Sequence, residues 1–286
     1  VDQEDLEPLL DREALAGFRA RALNPEAPVA RGMAENPDVF FQHRESSNKY
    51  YDAVPGIVED YMGEISKITG REYHLFNYYG DPEADRIIIA MGSVTQCAEE
   101  AIDYLRKKGE KVGMVNVHLY RPFSAEHFLK VIPKTVKRIA VLDRTKEPGA
   151  NGEPLYLDVV EVFKDVKDAP FIVSGRYGLS SKDTTPVQIM SVFENLALPL
   201  PKNYFTIGIV DDVTFRSLPM KEEIAIDDEG LFEGKFYGLG ADGTVGANKN
   251  TIKIIGENTD KYCQAYFSYD SKKSGGFTCS HLRFGN

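Results

Sequence analysis

The chain has no tryptophan, three cysteines and five histidines, and it carries 34 basic against 44 acidic residues. Each shortage argues against something. A net charge of −10 disfavours a nucleic-acid binder, which would carry a basic stripe. Cys97, Cys263 and Cys279 are odd in number and far apart, so a secreted disulfide framework fits poorly and a reducing cytoplasm fits better. Three thiols also fall short of a four-thiolate iron–sulfur cluster and read as small buried hydrophobes. His43, His74, His118, His127 and His281 show no metal-ligand spacing, and no Ser–His–Asp set stands out, so no catalytic residue is assigned. The longest apolar runs, such as residues 87–91, are far too short to cross a bilayer. The acidic first residues do not form a secretory signal.

At 286 residues the chain is long enough for two domains, or one large domain with extensions. It begins at Val1 without an initiator Met, and a strand is under way near Asn286, as expected for a piece of something longer. Helical periodicity covers residues 11–23 and, after two proline-marked breaks, 46–69. Pro55 interrupts the second helix and Gly70 sits at its cap position, and the helix reads as a connector between domains. From Tyr73 the pattern alternates: strands at 86–91, 112–119, 138–142 and 170–174, helices at 96–108, 124–131, 154–163 and 185–196. Such alternation predicts a mostly parallel sheet covered by helices on both faces, with ligands beyond the carboxyl ends of its strands. A strand at 204–210 follows, then an acidic linker at 220–230.

The stretch most like a ligand site is Phe236-Tyr237-Gly238-Leu239-Gly240-Ala241-Asp242-Gly243-Thr244. A G-x-G-x-x-G between a strand and a helix aims backbone N–H groups at an anion, most often a phosphate. The next strand, 262–269, ends at Asp270, where a nicotinamide-binding fold places its ribose-binding acid. Asp270 lies farther from the loop than the usual spacing of about 20 residues. Lys272 and Lys273 follow it and suit a doubly charged phosphate. A structural tight turn is the bland alternative. A charged loop at a strand end, 143–149, suits an anion site or acid/base pair or, more blandly, an inter-domain salt bridge; a second, 178–186, has serines and threonines that mostly suit helix capping.

Several of these runs together resemble one family. They are Arg31-Gly32 with Asn36-Pro37-Asp38, Tyr120-Arg121-Pro122-Phe123-Ser124, Leu142-Asp143-Arg144-Thr145-Lys146-Glu147-Pro148-Gly149, Gly175-Arg176-Tyr177-Gly178, the glycine loop through Lys249, and Tyr269-Asp270-Ser271-Lys272-Lys273. In collinear order over nearly the whole chain, they resemble pyruvate:ferredoxin (or flavodoxin) oxidoreductases. The resemblance implies an α/β chain. Residues 1–71 would end a thiamine pyrimidine-binding domain, 72–228 form a transketolase C-terminal-like parallel sheet, and 229–286 start a Rossmann-like third domain associated with coenzyme A. It further implies a full-length homodimeric enzyme with thiamine diphosphate, Mg2+ and three [4Fe–4S] clusters, bound mainly outside this segment. That enzyme converts pyruvate and coenzyme A to acetyl-CoA and CO2 and passes electrons to ferredoxin or flavodoxin. Gly240, Ala241, Asp242, Gly243, Thr244 and Lys272 are then expected at coenzyme A rather than at NAD. The segment alone is expected to be inactive, with no membrane or nucleic-acid partner. Two other readings are a free-standing NAD-binding oxidoreductase and a purely structural scaffold.

Overall fold

The computed structural model describes residues 2–30, 32, 34–220, 224, 230–270, 272 and 275–285; Arg31, Lys273 and most of the linker lie outside the described residues. The chain divides into two compact units, Val1–Ile224 and Ala225–Asn286.

The first unit opens with α1 (Gln3–Leu6), α2 (Arg12–Ala20), α3 (Phe40–Ser46) and α4 (Asn48–Thr69), none of which buries a residue fully. Asp11 caps α2 through the Ala14 N–H at 2.8 Å, the use expected of an aspartate before a helix. Pro55 sits inside α4, and Gly70 closes it at φ 69°, a left-handed turn that a residue with a Cβ adopts only at a cost. Val58 and Met62 of α4 pack on the core that follows, and Glu59 accepts the Leu75 N–H at 3.0 Å.

That core belongs to a six-stranded sheet. Its strands are β1 (Phe76–Gly80), β2 (Arg86–Ala90), β3 (Val112–Val117), β4 (Arg138–Asp143), β5 (Phe171–Arg176) and β6 (Phe205–Thr206), in spatial order β1-β3-β2-β4-β5-β6. β1 runs antiparallel to β3; every other pairing is parallel. The crossovers are α5 (Val94–Lys107), α6 (Ala125–Val131), α7 (Pro154–Phe163) and α8 (Pro186–Ala197). Strand side chains alternate between faces, and here both faces are buried. Ile88, Met114, Ala140 and Val173 meet α5 and α8 through Ala98, Ile102, Ile189 and Phe193. Ile87, Ile89, Val115 and Val141 meet α6 and α7 through Phe128, Leu155 and Val159.

Two expectations change. The segment 73–80 carries an antiparallel edge strand that the alternation did not show. The strand expected over 204–210 shrinks to Phe205–Thr206, because Tyr204 at φ 54° and Gly208 at φ 83° turn the backbone away on either side.

The second unit contains β7 (Phe232–Leu239), α9 (Thr244–Asn258), β8 (Tyr262–Tyr269) and β9 (Phe277–Gly285). Its sheet order is β7-β9-β8, with both pairings antiparallel. β7 and β8 therefore run parallel but are split by β9. The Rossmann-like start expected here is corrected: in that arrangement the acid-bearing strand lies beside the glycine-loop strand. Here the hairpin joining β8 to β9 folds β9 into that place.

Candidate functional site

The glycine loop joins β7 to α9. Gly240 (φ 58°) and Gly243 (φ 88°) both adopt left-handed backbone, which favours glycine. Gly238 is required by space. A Cβ there would lie 2.8 Å from Thr278 Oγ1, 2.9 Å from Asp242 Oδ1 and 2.9 Å from Thr244 Cβ.

Asp242 organises the loop from within. Its Oδ2 accepts the Leu239 N–H at 2.9 Å and its Oδ1 the Thr244 N–H at 2.9 Å. These bonds, first the one from Thr244, hold its carboxyl below the usual carboxylate range, since bonds to the charged form favour it. The first N–H of α9 is thus satisfied by the chain's own carboxylate. The N–H groups of Ala241 and Gly243 have no acceptor among the described residues, and both residues are exposed. They are among the exposed donors that the loop leaves without an internal acceptor. Asp242 therefore shapes the loop rather than facing a phosphate.

The turn between β8 and β9 meets this loop. The Gly240 N–H donates to Gly276 O at 2.8 Å, and the Asp270 N–H to Phe277 O at 3.1 Å. Lys272 is exposed; its N–H donates to Asp270 Oδ1 at 3.3 Å, and its ammonium has no ion-pair partner among the described residues. The fold thus joins the two chain segments that carry Gly240, Ala241, Asp242, Gly243, Thr244 and Lys272. Asp270 spends one carboxylate oxygen on this local turn, and it ends a strand separated from β7.

The charged loops of the first unit are spent largely within that unit. Asp143 ends β4, and its two carboxylate oxygens accept the N–H groups of Leu155 and Tyr156, at 3.0 and 3.1 Å, in the first turn of α7. It is a long-range helix cap, supplying the acceptors that the first turn lacks. Burial nonetheless pushes its pKa up, against those two bonds. Arg144 Nε donates to Gly178 O at 2.8 Å. Arg176, at the end of β5, pairs with Glu153 at 3.0 Å, the two side chains being 11% and 3% exposed. These residues hold the strand-end loops together, and no proton-transfer pair appears among them.

Comparison with known proteins places these features in a family. Residues 84–189 match the family described as pyruvate:ferredoxin oxidoreductase core domain II. Residues 1–63 match pyruvate flavodoxin/ferredoxin oxidoreductase, thiamine diphosphate-binding, and residues 233–286 match pyruvate ferredoxin/flavodoxin oxidoreductase. Over its whole length the chain is 61% identical to pyruvate-flavodoxin oxidoreductase of Enterobacter agglomerans, and it covers 24% of that protein. It is 59% identical, again over its whole length, to pyruvate:ferredoxin oxidoreductase of Moorella thermoacetica, with 24% of that protein covered. To the probable pyruvate-flavodoxin oxidoreductase of Escherichia coli K12 it is 52% identical over 98% of the chain and 24% of the relative. The chain belongs to the pyruvate:ferredoxin/flavodoxin oxidoreductase family. It spans about a quarter (24%) of the length of these relatives.

In this family member, sequence reasoning overlooked two features of the sites. The inward turn of Asp242 had a signal: an aspartate just before a helix commonly bonds the N–H two residues on. The Glu153–Arg176 pair had none, because its partners lie on separate elements and only the tertiary fold brings them together. Among the described residues no helix is long and apolar enough to cross a membrane.

Proposed function

We propose that this chain is a segment of a cytoplasmic, homodimeric enzyme that oxidatively decarboxylates pyruvate with coenzyme A. The products are acetyl-CoA and CO2, and the electrons pass to ferredoxin or flavodoxin. Its divisions are residues 1–71 of a thiamine-binding domain, a transketolase C-terminal-like domain over 72–228, and the start of a coenzyme A-associated domain over 229–286. Within that enzyme, the amides of Ala241 and Gly243, together with Lys272, hold the phosphates of coenzyme A. The observation that carries this reading is the 2.8 Å bond from the Gly240 N–H to Gly276 O, which ties the phosphate-type loop to the turn bearing Lys272. Holding the phosphates fixes the thiol and raises its effective concentration for the acyl-transfer step.

The described residues of this chain do not by themselves complete a site for the other cofactors of the reaction. The cleft beside α4 is lined by Glu59, Asp60 and Glu64 with Lys67 as its cation, and Lys67 is already paired to Glu64 at 2.6 Å. That acidic wall disfavours a diphosphate. Cys97, on α5 in the first unit, and Cys263 and Cys279, on β8 and β9 in the second, do not make a four-thiolate site. Thiamine diphosphate, Mg2+ and the three [4Fe–4S] clusters are bound mainly by other parts of the full-length polypeptide.

Lys272→Ala in the full-length enzyme tests the reading. Loss of one charge-assisted contact, about 1.5–3 kcal/mol, should raise the KM for coenzyme A about tenfold or more while the KM for pyruvate stays unchanged. Unaltered coenzyme A kinetics would remove Lys272 from the site. A second reading, of the first unit as scaffold, is favoured by the internal pairing of Asp143, Arg144 and Arg176. It is compatible with the first, since the two concern different units.

A further inference from the structure

One place in the first unit gathers charged groups that the readings above leave unused. Beyond the carboxyl ends of β4 and β5 lies a cleft of about 430 Å³, lined by Lys146, Asn151, Glu153, Arg176, Tyr204 and Arg216 among others. It shares Lys146 and Arg176 with an adjoining cleft of about 310 Å³, whose other walls include Tyr177, Leu179, Ile207 and Ile209. The pair makes a charged half and an apolar half meeting at two cations. Its position beyond the strand ends is where open parallel sheets place their ligands.

The charges in the polar half do not balance. Three cations face one carboxylate, and Glu153 is fully engaged: Oε1 takes Arg176 Nη1 at 3.0 Å and Oε2 takes the Glu147 N–H at 3.0 Å. Lys146 Nζ reaches the Glu147 carbonyl at 3.2 Å, and Arg216 Nη1 reaches the Tyr204 carbonyl at 3.4 Å. Neither has a carboxylate partner among the described residues. Two nearby acids are committed elsewhere, Asp143 to the start of α7 and Asp212 to the N–H groups of Thr214 and Ser217. In a chain with 44 acidic and 34 basic residues, two unneutralised cations at one concave site call for an anion. An ammonium and a guanidinium together suit phosphate oxygens. The adjoining apolar walls suit a flat, poorly hydrated body carried by the same molecule. Each cleft falls within the size range of small-molecule sites.

We propose that this double cleft binds a small organic phosphate with an aromatic body, a nucleotide being the simplest class. Lys146 and Arg216 grip the phosphate, and the base lies along Tyr177, Leu179 and Ile207. The buried Arg176–Glu153 pair holds the floor between the two halves.

The test titrates a fluorescent ADP derivative into the full-length enzyme with saturating coenzyme A present, so that the proposed coenzyme A site is occupied. The expected result is one saturable site per chain, competed by ADP and more weakly by inorganic pyrophosphate. Lys146→Gln and Arg216→Gln, both at exposed positions, should each weaken it about tenfold, and Lys272→Ala should leave it unchanged. Three results would overturn the proposal: no saturable binding once coenzyme A is present, binding that neither variant alters, or binding lost in Lys272→Ala. Because the coenzyme A reading is tested separately by Lys272 kinetics, either idea can fail while the other stands.

Discussion

The sharpest test of how the strand-end loops work is Asp143→Ala. In the folded chain its carboxylate accepts two N–H groups at 3.0 and 3.1 Å from the buried first turn of α7. Alanine leaves both donors without an acceptor, at about 1–3 kcal/mol each. Burial of the charge pushes the Asp143 pKa up, so part of that gain is already offset, and the net loss should be about 2–3 kcal/mol. The two units need not unfold together, so a single denaturation midpoint is a poor measure. Amide hydrogen exchange at Leu155 and Tyr156 reads the cap directly. A loss of 2–3 kcal/mol accelerates it about 30- to 150-fold, at 1.4 kcal/mol per decade. Asp143→Asn keeps one acceptor and should cost about half as much. In the full-length enzyme, Asp143→Asn should lower thermal stability more than turnover. Unchanged exchange at the two amides in the alanine variant, or a collapse of turnover with stability intact in the asparagine variant, would refute the capping role and revive an acid/base role for the loop.

Two further outcomes concern the glycine loop. Gly238→Ala places a methyl group under 3.0 Å from Thr278, Asp242 and Thr244; overpacking of this kind costs about 1–3 kcal/mol. The variant should melt earlier and bind coenzyme A more weakly in the full-length enzyme, and wild-type values for both would show that the loop yields without cost. The second outcome is a pH dependence. Asp242 has its pKa lowered by bonds to its charged form, from Thr244 first and then Leu239. A lowered folded pKa means the contribution is complete above the unfolded carboxylate value, about 3.9, and is lost as pH falls through the folded one. The Leu239 and Thr244 amide shifts should therefore titrate with a midpoint below about 3.9; a midpoint at or above it would contradict the capping geometry.

Much of the first unit was legible because its signals are local. Strands β2 to β5 are short apolar runs, and α7 starts at the helix-compatible Pro154 and ends where its periodic pattern does. β1 escaped because Phe76-Asn77-Tyr78-Tyr79-Gly80 is a polar, aromatic edge without such a run. β6 was overdrawn because nothing in the composition of 204–210 announces a left-handed tyrosine. In the second unit every element was legible, yet the order was not. Strand–helix–strand reads identically whether β8 pairs with β7 or stands one strand away. The choice is made by where the hairpin after Asp270 delivers β9.

That hairpin also decides what the glycine loop faces. A parallel neighbour would have put Asp270 beside Gly240 and favoured a ribose. With β9 inserted, the carbonyl of Gly276 takes the Gly240 N–H, and the turn carrying Lys272 borders the loop instead. Asp242, the one carboxylate within the loop, turns its oxygens inward to Leu239 and Thr244, so its charge is spent on the loop's own donors. A phosphate approaching the outer side meets the amides of Ala241 and Gly243, with Lys272 on the adjoining turn. The loop alone was an ambiguous phosphate motif; strand order sets the strand that ends at Asp270 one place away from it and brings the turn carrying Lys272 beside it.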